Sequence, residues 1–419
     1  MKKVLIITYY WPPSGGAGVQ RWLKFTKYFK EFDIEPTVIT VNPNKASYPV
    51  RDETLIADVG NHVKVYTTNT FEPYGAYKKV SNKTEIPYSG FANESNPSFI
   101  QQITRFIRGN FFIPDARKGW NKYALAKARE LLKEENFDAI VTTSPPHSTQ
   151  LIGLKLKEEF NLPWLADLRD PWTDIYYYKY MNHTSWAKRI DAKMERMALE
   201  KADDVVVVSE AIKKMFASKS EAVDANKIHV IPNGFDEEDF KSVATISNDE
   251  FVITYTGTLS DIYDASAFIT AFRSCKTKIK LKLVGRIADE VVEKLRGENI
   301  EVIGYVDHPK SIEYLQTSDA LLLIIPKIEN NEGILTGKLF EYLAARKPII
   351  ALGPKNGDAA SIIQECAAGK MFDYSDEEGI GNYVSNLLEG KNPIDQLNKN
   401  YLNYSRKALT KQMIETLNL

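Results

Sequence analysis

The sequence predicts an α/β protein made of two doubly wound domains, each with a parallel β-sheet covered by helices. Three observations support this prediction. The chain has 419 residues, which exceeds the length over which one hydrophobic core keeps growing. Short apolar, β-rich runs alternate with helical patterns, as in parallel sheets with crossover helices. This alternation stops in a polar stretch near residues 242–250 and then starts again, which predicts a second domain.

The predicted strands fall into two groups on either side of that polar stretch. The first group comprises residues 4–8, 37–41, 63–66, 139–143, 164–167 and 205–208. The second group comprises residues 251–255, 279–284, 300–303, 320–325 and 348–352. We therefore expect a first domain at residues 1–205, a linker region at 206–250 and a second domain at 251–399.

The composition excludes several classes of protein. The chain has only two cysteines, which argues against a disulfide scaffold or a Cys-based zinc site and favours a cytoplasmic location. The apolar run after Met1 is too short for a signal peptide, and no run approaches the roughly 18 apolar residues that span a bilayer. A net charge of −1, without a basic stripe interleaved with aromatic residues, argues against a nucleic-acid partner.

Charge is distributed unevenly along the chain. Residues 1–200 contain 28 basic and 22 acidic side chains, so the first half is basic and the second half acidic. A basic first domain fits peripheral contact with the inner membrane surface, and it fits an ordinary solvated surface equally well. Residues 98–112 contain apolar side chains at helical spacing, interleaved with Arg105 and Arg108. Such a helix either lies on a membrane surface or packs into the core with basic flanks.

Ligands of doubly wound sheets bind beyond the carboxyl ends of the strands, so the loops there are the places to look for chemistry. The first such loop contains Gly15, Gly16 and Gly18 and precedes a predicted helix at about residues 19–30. These glycines let backbone N–H groups approach an anion at the helix start. The loop lacks the third glycine of a dinucleotide-binding fingerprint, and Asn42 stands where an acidic ribose ligand is expected. NAD binding is therefore disfavoured, and a turn without a ligand is the alternative.

Two further loops of the first domain carry side chains suited to catalysis. His147 follows the fourth predicted strand, and Asp167, Arg169 and Asp170 end the fifth. A histidine, an arginine and carboxylates at adjacent strand ends can supply a base, an acceptor for a hydroxyl nucleophile and a positive charge for phosphate. The alternatives are a structural pair between Asp167 and Arg169, and a turn-capping role for His147. We take His147, Arg169 and Asp170 as the candidate catalytic residues.

The second domain carries a more specific pattern at residues 333–341. If Thr336 caps the helix that follows, Lys338 lies in its first turn, where a cation is disfavoured by the helix dipole. A bound anion removes that conflict. Lys338 and Glu341 are three residues apart and share a helix face, so one can meet a phosphate while the other accepts hydrogen bonds from ribose hydroxyls. The alternative is an exposed Lys–Glu pair.

Two more loops belong to the same predicted sheet edge. Arg286 follows a glycine at the end of the second strand of this domain, a position that suits a phosphate. Tyr305 and Val306 follow the third strand, where they can line a flat base. A surface role is the alternative for Arg286.

The pattern resembles the family 4 glycosyltransferases of GT-B fold, over nearly the whole chain. The resemblance rests on four blocks, at residues 15–18, 203–209, 228–236 and 333–348. It implies two Rossmann-like domains facing a deep cleft, with a C-terminal helix at residues 400–419 packing back on the first domain. It also implies retaining transfer from a nucleotide sugar, with the diphosphate held by helix N-termini and basic side chains, and no metal or cofactor.

The family's residues carry over unevenly. Glu341 matches the second glutamate of the family's Glu-x7-Glu motif, the ribose ligand, but the first position is Gly333 and the nearest glutamate is Glu332. The resemblance also assigns Gly333, Ile334 and Leu335 to donor binding, together with Gly15, Gly16 and Gly18 of the first domain.

Two further departures concern charged groups. After the strand at residues 251–255 the family places an Arg and a Lys for the diphosphate, where this chain has Gly257, Thr258 and Asp261. The family histidine expected near Thr143 is absent, and His147 is four residues on. Arg286 and Lys338 are the candidates to replace the missing cations.

The function expected from this resemblance is hexosyl transfer from a UDP- or GDP-sugar to a glycan or lipid-linked glycan in polysaccharide biosynthesis. The sequence contains no Asp-x-Asp triplet, which argues against a metal-dependent glycosyltransferase. The alternatives are a nucleotide-sugar epimerase of similar fold and a degenerate nucleotide-sugar-binding scaffold.

Overall fold

A computed structural model of the chain describes residues 1–72, 99–241, 250–275, 279–295, 297, 299–391 and 398–419. The chain divides into two compact units. The first unit contains Met1–Ile231 and Leu409–Leu419, and the second contains Pro232–Ala408. Among the helices of the described ranges, none is both long and apolar enough to cross a membrane.

The first unit is built on a seven-stranded sheet in the order β3-β2-β1-β4-β5-β6-β7. All neighbouring strands run parallel. The strands are β1 Lys2–Ile7, β2 Ile34–Val41, β3 Lys64–Thr68, β4 Ala139–Ser144, β5 Trp164–Leu168, β6 Asp204–Val207 and β7 Ile228–Val230. The described helices between them are α1 Ala17–Phe29, α2 Phe99–Phe111, α3 Asn121–Glu134, α4 Gln150–Phe160, α5 Ser185–Lys201 and α6 Glu210–Ala217.

Helices cover both faces of this sheet, and β1 shows why its sequence is continuously apolar. Leu5 and Ile7 belong to one apolar cluster, whereas Val4 and Ile6 belong to a second cluster. Because successive side chains of a strand point to opposite faces, a strand buried on both faces needs an uninterrupted apolar run.

The second unit is built on a six-stranded parallel sheet in the order β10-β9-β8-β11-β12-β13. Its strands are β8 Phe251–Thr256, β9 Ile279–Val284, β10 Ile300–Ile303, β11 Ala320–Ile324, β12 Ile349–Leu352 and β13 Gly369–Phe372. The described helices are α7 Ser266–Ser274, α8 Asp289–Leu295, α9 His308–Gln316, α10 Gly337–Ala345, α11 Asp358–Glu365 and α12 Glu377–Leu388.

The last helix of the chain, α13 Arg406–Thr416, leaves the second unit and enters the first. Leu409, Met413 and Leu417 are buried in the same apolar cluster as Val4 and Ile6 of β1. The three side chains are four residues apart, so they lie along one face of the helix. Burial of this face anchors the C-terminus on the first sheet.

Each sheet has one point at which the strand order reverses. In the first unit it lies between β1 and β4, and in the second between β8 and β11. The loops leaving these two neighbouring strands run to opposite faces of the sheet, which opens a crevice at the carboxyl ends. The glycine loop and His147 leave one such point, and the segments after β8 and β11 leave the other.

The two doubly wound α/β domains predicted from the sequence are confirmed. The domain boundary differs from the prediction, because β6, α6 and β7 extend the first unit beyond residue 205 to Ile231. Much of the predicted linker at 206–250 is therefore part of the first fold, and residues 242–249 of it lie outside the described residues. The short strands β7 and β13 were absent from the prediction, since three or four residues give little periodicity.

Candidate functional site

In the second unit, a candidate anion site lies at the N-terminus of α10. Thr336 is the N-cap residue, but its side chain does not cap the helix. Its Oγ1 is buried and has no hydrogen-bond partner within the described ranges. A Cβ added at Gly337 would have no neighbour within 4 Å, so the space before the first turn is open. Helix N-termini of this kind expose unpaired N–H groups and a positive dipole end.

Lys338, in the first turn of α10, extends across to the end of β8. Its Nζ lies 2.5 Å from the Tyr255 hydroxyl and 4.2 Å from the centre of that ring, and the Tyr263 ring is 5.2 Å away. Burial lowers the pKa of Lys338 to about 7. The ammonium is therefore held among aromatic rings near a helix N-terminus, where a bound anion would favour its charged form.

Two glycines make room for this lysine. Gly257 follows β8 with φ +102°, and Gly285 follows β9 with φ +129°. A Cβ at Gly257 would lie 3.0 Å from Cε of Lys338, and one at Gly285 would lie 2.2 Å from the carbonyl oxygen of Gly257. Any larger residue would be strained at both positions and would collide with backbone at the second. The position where the family places basic residues after β8 thus receives the lysine of α10.

Glu341 lies one turn further along α10. Its Oε1 is 4.0 Å from Nδ1 of His308, and Nε2 of that histidine is 3.3 Å from Oδ2 of Asp239. The Glu341 side chain is 29% exposed. Burial raises its pKa, and the imidazole of His308 partly offsets this effect. The carboxylate is therefore partly accessible, with one imidazole nearby.

Arg286, Tyr305 and Val306 follow β9 and β10 at the same edge of the sheet. The Arg286 guanidinium lies 5.5 Å from the centre of the Tyr305 ring, and both side chains are exposed. Val306 is half-buried. The structure therefore brings the arginine and the tyrosine together as a stacked pair.

The segment before α10 is held firmly. Nδ2 of Asn331 donates to the carbonyl of Pro326 at 2.9 Å and to the Tyr374 hydroxyl at 3.0 Å. Gly333 ends a short 3-10 helix, and the half-buried Ile334 and Leu335 pack on the core beneath α10. Glu332, the glutamate one residue out of register, is exposed.

The first unit contains a cavity of about 430 Å³, lined in part by the glycine loop and by the three predicted catalytic residues. The predicted residues on this cavity are Gly15, Gly16, Gly18, His147, Arg169 and Asp170. Aromatic side chains form much of the remaining wall, among them Tyr10, Trp172, Tyr176, Tyr177 and Tyr178. The first-unit cavity therefore gathers every first-domain residue predicted for the site.

The side chain of Arg169 is hydrogen-bonded to backbone carbonyls. Its guanidinium donates to the carbonyl oxygens of Ser144, Gly18 and Pro145. Asp167, the partner in the sequence alternative, forms a buried ion pair with Arg21 at 3.0 Å and acts on Arg169 through its charge. Arg169 thus ties together the loops that follow β1, β4 and β5.

His147 lies in the cavity wall with its ring stacked on Trp172, at a centroid distance of 4.8 Å. Its Nδ1 is buried and has no hydrogen-bond partner among the described residues. Burial, helped by the charge of Arg169, lowers the pKa of His147 to about 3. The imidazole is therefore neutral at physiological pH and can exchange a hydrogen bond with a ligand.

Asp170 provides the cavity with a carboxylate. Burial raises its pKa, and the charge of Arg169 partly offsets this effect. Within the described ranges its carboxylate accepts no hydrogen bond, unlike Asp167 and Asp115. Asp170 is therefore the acidic group of this wall that is best placed to accept a proton from a ligand hydroxyl.

Sequence reasoning missed a further carboxylate on the cavity, Asp191 of α5. It accepts hydrogen bonds from Nε1 of Trp172 at 2.8 Å and from the Tyr178 hydroxyl at 3.0 Å. Burial raises the pKa of Asp191 to about 6. The sequence signal was present, since Asp191 and Glu195 occupy core-facing positions four apart on an otherwise amphipathic helix.

His308 was missed in the second unit. It begins α9, after an Asp307 side chain that caps the helix through the N–H of Lys310. Its approach to Glu341 depends on the packing of α9 against α10, which no local pattern predicts. Such a partner can be identified only once the packing of the helices is known.

Comparison with known families and structures places these two sites in context. The family model for glycosyltransferase family 4 matches residues 14–239, and the model for glycosyl transferases group 1 matches residues 250–390. No curated protein matches the sequence.

Several solved structures share the fold along the whole chain. HepE from Anabaena, solved in complex with UDP, has a TM-score of 0.64 and 15% identity over 100% of both chains. Sucrose-phosphate synthase from Thermosynechococcus elongatus has a TM-score of 0.60 and 15% identity over 100% of this chain and 98% of that one. The lipopolysaccharide outer core galactosyltransferase WaaB in its apo form has a TM-score of 0.59 and 12% identity over 100% and 99%.

At such identities the structural similarities establish the fold alone, and the family model establishes the family. The first model spans more than half of the chain, and the second covers most of the six-stranded unit. The two parallel sheets of this chain give it the fold of the solved structures described above. The chain belongs to the family 4 glycosyltransferases and has the GT-B fold.

Proposed function

We propose that this glycosyltransferase binds a UDP- or GDP-sugar at the start of α10 and transfers the sugar, with retention and without a metal ion, to a glycan or lipid-linked glycan. The observation that carries the proposal is the arrangement on one helix end. An unpartnered hydroxyl on Thr336, a lysine in the first turn and a carboxylate one turn later match the diphosphate and ribose of such a donor.

The diphosphate is proposed to bind at the helix N-terminus. The first-turn N–H groups and Oγ1 of Thr336 can donate hydrogen bonds, and Lys338 supplies a charge at the end of β8. Arg286, at the end of β9, can add a second charge. These groups can neutralise the leaving phosphate without a metal ion, which is the basis for proposing metal independence.

The nucleoside is proposed to extend along α10 toward α9. The Glu341 carboxylate can accept hydrogen bonds from two vicinal ribose hydroxyls, and His308 lies 4.0 Å from it. Tyr305 and Val306 offer a flat surface beside the base. UDP is the first candidate nucleotide, since HepE was solved in complex with UDP and with UDP-glucose.

The acceptor is proposed to enter the first-unit cavity. Asp170 can accept the hydroxyl proton of the attacking acceptor, and neutral His147 can bind a neighbouring hydroxyl through Nδ1. Arg169 is proposed to position this wall rather than to touch the substrate, because its donors are used by backbone. The aromatic wall suits the apolar faces of a sugar ring.

Turnover with UDP-glucose, UDP-galactose, UDP-N-acetylglucosamine and GDP-mannose, with and without EDTA, tests the proposal. We expect nucleotide release only with an acceptor present, unchanged by EDTA, and NMR should show a product with the donor's anomeric configuration. Conversion of the donor without an acceptor would support an epimerase instead. Absence of any turnover while UDP still binds would favour a binding scaffold.

A further inference from the structure

Helix α2 turns its apolar side away from the protein. Four of its side chains, Ile103, Phe106, Ile107 and Phe111, are between 43% and 72% exposed. They recur at intervals of three and four residues and form one stripe, the α2 apolar stripe. Arg105 and Asn110, in contrast, are each only 6% exposed. The helix therefore presents the reverse of the pattern expected for a surface helix in water.

Specific contacts near its C-terminal end hold α2 on the segment at residues 181–184. Nδ2 of Asn110 donates to the carbonyl of Asn182 at 3.0 Å, and its Oδ1 accepts from the N–H of Thr184 at 2.7 Å. A Cβ at Gly109 would lie 2.3 Å from the carbonyl oxygen of Met181, so the helix sits directly on this segment. Rotating α2 to bury its stripe would break these contacts, which means that the exposure is built in.

The segment that holds α2 adds aromatic and basic side chains to the same region. Tyr180 is 42% exposed, and Trp186 at the start of α5 is 62% exposed. The exposed charged residues from position 179 to position 193 are all basic, namely Lys179, Lys188, Arg189 and Lys193. The single acidic residue in this range, Asp191, is buried. Apolar, aromatic and cationic groups are therefore exposed on α2 and on the segment that contacts it.

We propose that this region, the α2 apolar stripe with Tyr180, Trp186 and the neighbouring basic residues, binds the surface of an anionic lipid bilayer. Amphipathic helices insert apolar side chains at the boundary of headgroups and acyl chains, and Trp and Tyr favour the same depth. Basic residues beside them attract anionic headgroups. α2 is about 20 Å long, so it lies in the interface and does not cross the bilayer.

The opposite side of α2 faces the first-unit cavity through Arg108 and Gly109. One helix therefore separates the proposed lipid surface from the proposed acceptor site. This placement deepens the proposed function and rests on it, because an acceptor on a lipid carrier could keep its chain in the bilayer while its head enters the cavity. The lipid-binding surface itself requires no assumption about the sugar chemistry.

Co-sedimentation of the full chain with vesicles tests this surface. We expect binding to vesicles of mixed phosphatidylcholine and phosphatidylglycerol, and weaker binding to phosphatidylcholine alone. Replacing both phenylalanines, Phe106→Ser with Phe111→Ser, should weaken binding by about tenfold or more, because two half-exposed rings lose their transfer into lipid. The control Ile56→Ser with Val302→Ser removes two exposed apolar side chains elsewhere, 49% and 43% exposed, and should bind as the unmodified chain does.

Charge-reversal variants measure the electrostatic contribution to vesicle binding separately from the apolar contribution. Lys188→Glu with Arg189→Glu should weaken binding to the anionic vesicles and leave binding to phosphatidylcholine unchanged, whereas Lys155→Glu on α4 should have little effect. Failure of the unmodified chain to bind either vesicle would overturn the proposal. So would a mass in solution that doubles with concentration and reverts in the double serine variant, since the stripe would then contact a second copy. Calorimetry with UDP, run in parallel, reports separately on the donor site.

Discussion

Each unit has a candidate site at the point where the strand order of its sheet reverses, but the polar side chains at the two sites have different hydrogen-bond partners. In the first unit two charged side chains at the sheet edge are bound by the protein: Asp167 accepts from Arg21, Trp22 and Thr143, and Arg169 donates to three carbonyls. In the second unit Lys338 has aromatic rings as its main partners, and the Thr336 hydroxyl has no hydrogen-bond partner among the described residues.

This difference distinguishes side chains that stabilise the fold from side chains that are available to bind a ligand. Groups whose hydrogen bonds are satisfied within the fold stabilise the loops, and removing them leaves buried partners unpaired. Groups left unsatisfied in a buried or half-buried place mark where a ligand completes the structure. By this criterion we propose that the start of α10 in the second unit binds an anion, and that His147 and Asp170 are the groups of the first unit that meet a substrate.

The largest effect is expected at Asp167, where the comparison predicts a structural role. Asp167→Ala removes the partner of Arg21, a side chain buried with it, so the guanidinium is left without its counter-charge. We expect a loss of about 3–5 kcal/mol in the free energy of unfolding of the first unit. Urea denaturation followed by tryptophan fluorescence measures this, since Trp22 donates to the same carboxylate. A stable, inactive Asp167→Ala variant would contradict the structural assignment.

Asp170, three residues later, should behave in the opposite way. Asp170→Asn removes the proposed proton acceptor and should lower kcat by about a hundredfold or more, while leaving the urea midpoint and the UDP affinity unchanged. Because burial raises its pKa, activity of the unmodified enzyme should rise with pH through an inflection above the usual range for aspartate. Full activity of Asp170→Asn would remove this residue from the mechanism.

Lys338 gives a smaller effect that depends on pH. In the free protein its pKa is about 7, and a bound diphosphate favours the charged form. Binding therefore takes up a proton above that pH. The affinity for UDP-glucose should fall by up to about tenfold per pH unit above pH 7, and should level off below it, where the lysine is already charged.

Calorimetry between pH 6 and 9, in buffers with different ionisation enthalpies, measures this proton uptake. The Lys338→Met variant should bind more weakly and lose most of the pH dependence. An equal slope in Lys338→Met would mean that a group other than Lys338 takes up the proton, which would contradict its assignment to the diphosphate.

The parts of this site that the sequence predicted are those that depend on local chemistry. Lys338 and Glu341 share a helix face after a buried strand, so their pairing follows from periodicity alone. The path of Lys338 toward Gly257 depends on two glycines of other strands, and the contact of His308 with Glu341 depends on helix packing. In the same way, no local pattern reveals that Arg169 points at carbonyls while Asp167 pairs with Arg21.

The α2 segment shows a second limit of sequence reasoning. Its amphipathic pattern was correctly recognised as helical, but the pattern alone left the direction of the apolar face open between core and membrane surface. The structure shows this stripe exposed, because α2 contacts the segment at residues 181–184 through Gly109 and Asn110 near its C-terminal end. These contacts come from a part of the chain that is distant in sequence, so hydropathy alone does not reveal them.

The most direct test of the donor site is a calorimetric titration of UDP into the unmodified chain, into Glu341→Gln and into the matched control Glu332→Gln. Glu341→Gln should bind UDP at least about tenfold more weakly, because a hydrogen bond between a ribose hydroxyl and a charged group is lost. Glu332 is exposed and one residue out of register, so Glu332→Gln should bind as the unmodified chain does. Unchanged affinity in Glu341→Gln, or a loss confined to Glu332→Gln, would contradict the donor site at α10.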